Sequence, residues 1–210
     1  MAEPQHFYGQ QGEDKILYEL FKDQAEGFYV DVGASDGITF SNTYVFEKMG
    51  WDGVCIEPHP EEFVRLRLNR PNSLCLHAMA GEKIGYGWLL PGNGGTNRRV
   101  VDADPMTVPV AIATLNFVLE LLGRSQVDFV SVDAEFTDEK VIEGFNLDLY
   151  RPRVVVVEQD NAYIDHRFAQ AGYLKARRHY FNSFFCLNEQ DAKVIRSVEP
   201  HMENGQELGQ

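Results

Sequence analysis

Phe28-Tyr-Val-Asp-Val-Gly-Ala-Ser-Asp-Gly37 is the stretch on which the fold turns. Its first five residues are apolar or aromatic apart from Asp31, as in a strand covered on both faces. Gly33 and Gly37 then open a loop, and a helical pattern begins by Asn42. Glycine takes dihedrals closed to other residues and lets backbone approach a ligand closely. Strand, glycine loop and helix in that order begin a βαβ unit.

Outward from this stretch, short apolar runs alternate with helical patterns, which predicts a parallel sheet. Further strands are expected at Gly53–Glu57, Ser73–Ala78, Val127–Asp133 and Arg153–Glu158. Helices are expected at Glu13–Lys22, Asn42–Met49, Glu61–Asn69, Val110–Leu122 and Asp138–Phe145. Tyr173–Arg177 and Asn182–Leu187 read as an antiparallel C-terminal edge hairpin. The expectation is an α/β, Rossmann-like, mostly parallel seven-stranded sheet with helices on both faces. Gly81–Pro109 breaks the rhythm, and its Pro91-Gly-Asn-Gly-Gly-Thr-Asn97 run predicts a long loop. Residues 1–200 read as one domain and 201–210 as a polar tail.

The loop glycines follow GxxxG spacing, because Ile38 stands where the third glycine of GxGxxG would fall. That pattern disfavours a nicotinamide dinucleotide, whose pyrophosphate sits on the helix N-terminus. About twenty residues on, Val54-Cys-Ile-Glu-Pro58 ends a strand in an acid. Glu57 is placed to accept both hydroxyls of a ribose. S-adenosylmethionine lacks a phosphate and needs such an acid, so it is the cofactor the pattern fits. Candidate contacts are Asp31, Gly33, Ser35, Asp36, Gly37, Ser41, Asn42, Glu57, Pro58 and Asp133. Ser41 and Asn42 are also explained as caps of the next helix, and Phe28, Tyr44, Phe46 and Trp51 as packing.

The 210 residues carry a formal net charge of −13, a field that repels nucleic acid. Three cysteines without CxxC spacing imply neither zinc nor a disulfide framework. No run approaches a membrane span and the N-terminus lacks a secretory h-region, so a cytoplasmic protein with no membrane partner is expected.

Several motifs together resemble the FkbM-type methyltransferases. Tyr8-Gly-Gln-Gln-Gly-Glu-Asp14 is similar to their N-terminal signature and Gly27–Gly37 to their first cofactor loop. Ser41–Trp51, Cys55-Ile-Glu-Pro58, Phe129–Glu135 and Val154–Glu158 follow in the family order. The resemblance implies the class I methyltransferase fold and methyl transfer to an oxygen, often on a sugar or secondary metabolite. One departure stands out: the family reads Asp-x-Glu-Gly after the fourth strand, and here Phe136 follows Glu135.

Transfer to a small hydroxylated acceptor needs alignment plus a base or a metal ion. Ligands bind at the carboxyl ends of parallel strands, where Asp133 and Glu135 end one strand and Glu158, Asp160 and Asn161 another. Asp133, Glu158, Asp160 and Asn161 would suit Mg2+ or another divalent cation, and the arrangement resembles the metal site of catechol-type methyltransferases. Asp133 and Glu135 are equally candidates for a metal-free base, or for structural caps. His166 is a further catalytic candidate on the expected substrate wall. Arg177-Arg178-His179 is either a contact for an anionic acceptor or a solvated edge. Rival readings are a nitrogen or carboxylate acceptor, and a cofactor-binding protein without turnover.

Overall fold

The computed structural model describes Pro4 and residues 6–92, 97–159 and 161–199. The elements run α1 (Glu13–Phe21), β1 (Phe28–Val32), α2 (Tyr44–Lys48), β2 (Asp52–Glu57), α3 (Pro60–Asn69) and β3 (Leu74–His77). Next come β4 (Met79–Ala80), β5 (Gly85–Leu90), β6 (Arg98–Val100), β7 (Val108–Ala113), α4 (Leu115–Leu121), β8 (Phe129–Val132) and α5 (Asp138–Glu143). The chain continues through α6 (Leu147–Tyr150), β9 (Val154–Val157), α7 (Ala162–Gln170), β10 (Leu174–His179), β11 (Asn182–Cys186) and α8 (Glu189–Ser197).

Seven strands form one sheet in the order β10-β11-β9-β8-β1-β2-β3. Only β11 runs against the others, pairing antiparallel with both β9 and β10. The strand order reverses at β1, whose Val30 lies beside Val54 of β2 on one side and Val130 of β8 on the other. Ligands of doubly wound sheets sit at such a switch point.

Successive side chains of a strand face opposite ways, so each buried strand feeds two cores. Val30, Val32, Val54, Ile56, Val130, Val155 and Val157 pack on one face against Leu115, Val118, Ile142 and Phe168 of α4, α5 and α7. Tyr29, Cys55, Phe129, Val154 and Val156 pack on the other against Ile16, Phe46 and Ile195 of α1, α2 and α8. Phe28, Phe46 and Trp51 lie in these cores as packing residues.

The region between β3 and α4 departs from expectation. A second, four-stranded sheet, β4-β7-β5-β6, stands where a long loop was expected. The start of the helix expected at Val110–Leu122 is instead β7. Val110 and Ile112 are buried while Pro109 and Ala111 are exposed, a period of two. The helix begins only after Thr114, whose hydroxyl caps the amide of Phe117 at 3.1 Å. Residues 93–96 of the Pro91–Asn97 run and the tail 201–210 lie outside the described residues. Helices α6, α7 and α8 were not anticipated. Among the described residues no helix is long and apolar enough to cross a membrane.

Candidate functional site

The loop leaving β1 is shaped by its protein neighbours. Gly33 has φ +79°, and a Cβ there would lie 1.7 Å from the carbonyl oxygen of Asp133. Gly37 has φ +84°, and a Cβ there would meet Arg70 Cγ at 2.6 Å. Close protein contacts thus account for both glycines. Asp36 closes the loop by accepting from the amides of Ile38 (2.8 Å) and Thr39 (2.7 Å). Ser41 Oγ accepts from the amides of Thr43 (3.2 Å) and Tyr44 (3.1 Å), bracing the turn that leads into α2.

Above these strand ends lies a cavity of about 500 Å³, within the usual range for small-molecule sites. Its wall includes Asp31, Gly33, Ser35, Asp36, Ser41, Asn42, Glu57, Pro58, Asp133, Glu135 and Glu158. Glu57 is 2% exposed. Its two oxygens accept from the amides of Ser35 at 2.8 Å and His59 at 2.7 Å. Burial outweighs those bonds and pushes its carboxyl up to about 7. A carboxylate has about four acceptor positions, so room remains for two ribose hydroxyls. Asn42 donates through Nδ2 to Ser131 Oγ at 3.1 Å, while its Oδ1 is buried without a partner among the described residues. Asp31 accepts from Thr43 Oγ1 at 2.5 Å, and burial raises its pKa. An acid set for a ribose, an orphaned acceptor and a buried acid fit the nucleoside and ammonium groups of S-adenosylmethionine.

The other end of the cavity holds carboxyls that confront one another. Asp133 and Glu158 follow the paired ends Val132 and Val157 of β8 and β9, so they stand side by side on the cavity wall. Loss of water, then the charge of Glu158, raises the Asp133 pKa far above the ordinary carboxylate range. Glu135 is shifted upward by the same two causes. Behind them Asp138 is fully buried and pushed up to about 7, chiefly by burial. Its Oδ1 accepts from Ala134 N at 3.4 Å, and its Oδ2 has no partner among the described residues. Glu135 and Phe136 both have left-handed backbone, φ +46° and +70°. The Phe136 position therefore keeps a conformation natural to the glycine of the family pattern.

Other expected residues fall elsewhere. Asn161 caps α7, accepting from Ile164 N at 3.0 Å and donating to Glu139 at 2.7 Å, so both ends of its amide are engaged. Asp160 lies outside the described residues, and no group of three His, Cys, Asp or Glu among the described residues is arranged to hold an ion. His166 is exposed on α7 and off the cavity wall. The buried stripe of that helix is Ile164 and Phe168, about 200° round the helix from His166. The basic cluster is divided: Arg177 donates to Val198 O at 2.7 Å, and buried His179 bonds Gln11 O at 2.8 Å.

The wall also contains residues that were not singled out. Phe40 and Phe181 line it while 59% and 58% exposed. Gln10, Glu13 and Asn182 line it together, with Asn182 donating to Glu13 at 3.0 Å. Leu89 and Arg99 reach it from the second sheet. The Tyr8–Asp14 motif was the available signal for Gln10 and Glu13. Nothing in the local pattern marks Leu89 or Arg99.

No curated protein matches the chain. Among solved structures it is similar to a TehB-like SAM-dependent methyltransferase from Corynebacterium glutamicum (9% identity, 86% of this chain and 88% of that one, TM-score 0.45). It is also similar to a precorrin-6y C5,15-methyltransferase from Geobacter metallireducens (12% identity, 88% and 90% covered, TM-score 0.45). The methyltransferase FkbM domain matches residues 31–181, from the acid of β1 to the turn of the β10–β11 hairpin. That span takes in the cofactor loop, Glu57 and both acidic strand ends, and the chain belongs to the FkbM methyltransferase family as an S-adenosylmethionine-dependent methyltransferase.

Proposed function

We propose that the chain methylates a hydroxyl group of a small acceptor, such as a sugar or secondary metabolite, using the Asp133–Glu158 pair as its base. The observation that carries this reading is the side-by-side placement of Asp133 and Glu158 at the ends of two paired strands, both on the cavity wall. When bound, S-adenosylmethionine supplies a methyl group on a positively charged sulfur. An alcohol is a poor nucleophile, and its proton must leave as the new oxygen–carbon bond forms. Two neighbouring carboxyls do not both ionise readily. The pair therefore keeps one proton, and its remaining charge accepts the hydroxyl proton. A base with a raised pKa holds that proton more firmly than an ordinary carboxylate. The walls hold Glu13, Asp31, Asp36, Glu57, Glu62, Asp133, Glu135 and Glu158 against two arginines, Arg65 and Arg99. This excess of acids disfavours a carboxylate acceptor. The exposed rings of Phe40 and Phe181 offer faces for the apolar side of a ring-shaped acceptor.

Among the described residues no group of three His, Cys, Asp or Glu is arranged to hold an ion, and the Asn161 amide is given over to capping α7 and to Glu139. The base reading thus predicts activity within about twofold of normal in EDTA. The test is methyl transfer from labelled S-adenosylmethionine to a panel of hydroxylated sugars and secondary metabolites, with the product's methyl located by NMR. An O-methyl product supports the proposal. Methylation confined to nitrogen or carboxylate acceptors overturns it.

A further inference from the structure

We infer that Arg70, buried beneath the cavity, is the positioning residue that sets the shape of the cofactor loop. It lies off the cavity wall and follows α3 as its C-cap residue. Its side chain is 0% exposed. A guanidinium has five N–H donors, and each of them has a partner here. Nε donates to Glu47 of α2 at 2.8 Å. Nη1 donates to the carbonyl of Gly37 at 2.9 Å and to Ser41 Oγ at 3.3 Å. Nη2 donates to the Tyr29 hydroxyl at 2.6 Å and to Thr43 Oγ1 at 2.9 Å.

Three of these partners, Gly37, Ser41 and Thr43, span the segment between β1 and α2. The other two, Tyr29 and Glu47, belong to the elements on either side of it. Thr43 passes the constraint on, since its hydroxyl donates to Asp31 on the cavity wall. Ser41, also on the wall, passes it to the amides that start α2. Contact with Arg70 also accounts for the glycine at position 37, where a Cβ would strike Arg70 Cγ. A buried charge is costly unless paired, and Glu47 and Asp31, at 2.8 and 4.0 Å, supply the pairing. Lysine keeps the charge but lacks the planar fork needed to reach all five partners. The network therefore ties one end of the cofactor cavity to a residue that never touches the ligand.

This inference rests on the cofactor cavity described above, and the test separates the two. Wild-type chain is titrated calorimetrically with S-adenosylhomocysteine, and a wild type that does not bind counts against the cavity itself. Arg70→Lys is then compared well below its unfolding temperature, with its fold checked by circular dichroism. At least a tenfold weakening in the folded variant is expected, whereas binding within twofold of wild type overturns the role of Arg70. Thr43→Val serves if Arg70→Lys does not fold, because it cuts the link to Asp31 and leaves the arginine in place. A loss of about fivefold supports the inference and an unchanged affinity overturns it. Where both variants fold, the double variant should lose less than the product of the single losses; independent losses would overturn it.

Discussion

Glu57 and Asp133 follow or end buried parallel strands and line one cavity, yet their surroundings differ. Glu57 receives two backbone amides, and beneath its end of the cavity every guanidinium N–H of Arg70 is matched. Asp133 stands beside Glu158 of the neighbouring strand end, with Glu135 on the same wall and, behind, an Asp138 Oδ2 that has no partner among the described residues. Donors fix a carboxylate in place and leave it an acceptor, which suits holding a ligand. Carboxyls set against carboxyls keep protons at a pH where they would ordinarily lose them, which suits proton transfer. The difference supports the proposed division of one cavity into a binding end at Glu57 and a chemical end at Asp133.

The largest expected effect is at the acidic end. Removing both carboxyls of the pair, in Asp133→Asn with Glu158→Gln, should lower kcat/KM by about a hundredfold or more, the usual scale for a lost base. It should leave S-adenosylhomocysteine affinity within about fivefold. Equal loss of rate and affinity would erase the division between the ends.

The second effect is on stability. Asp138 titrates near 7 in the folded chain and near 4 unfolded. Its folded pKa is raised, so the folded chain holds a proton that the unfolded chain has released between those values. This contribution is complete below about pH 4 and disappears as pH rises through about 7. Asp14, shifted by burial to about 6, and Glu57 act in the same direction. Thermal melts of the ligand-free protein should therefore fall from pH 5 to 8. Asp138→Asn should flatten that slope by at most about 1.4 kcal/mol per pH unit. An unchanged slope would show that Asp138 does not hold its proton in the folded state.

The smallest effect is at Phe136. Left-handed backbone costs a non-glycine residue about 1–2 kcal/mol, partly offset in a glycine variant by greater freedom of the unfolded chain. Phe136→Gly should stabilise by about 0.5–1 kcal/mol and raise Tm by about 2 °C. A fall in Tm would mean that the exposed ring makes up for its backbone.

Much of the frame was legible. Strands such as Val154–Val157 are apolar on both faces, and buried strands announce themselves by composition alone. Glu57 was legible because its place depends on strand order. The small sheet was not, since Val110-Ala-Ile-Ala113 runs straight into Leu115–Leu121 and short apolar runs read equally as helix or strand. Asn161 misled because Asp-Asn before a helix serves as cap and as metal ligand alike. Arg70 was invisible. Its five partners lie in β1, in α2 and in the segment between them, 23 to 41 residues before it, and only the folded chain brings them to it.

The most direct test is calorimetric titration of S-adenosylhomocysteine at pH 6 and pH 8, with wild type and Glu57→Gln. Ribose hydroxyls donate to the ionised carboxyl, so wild-type binding should tighten as pH rises through about 7. Glu57→Gln should bind about ten- to a hundredfold more weakly at pH 8, with that pH dependence gone. Equal affinity of the two proteins at pH 8 would contradict the assignment of Glu57 as the residue that holds the cofactor.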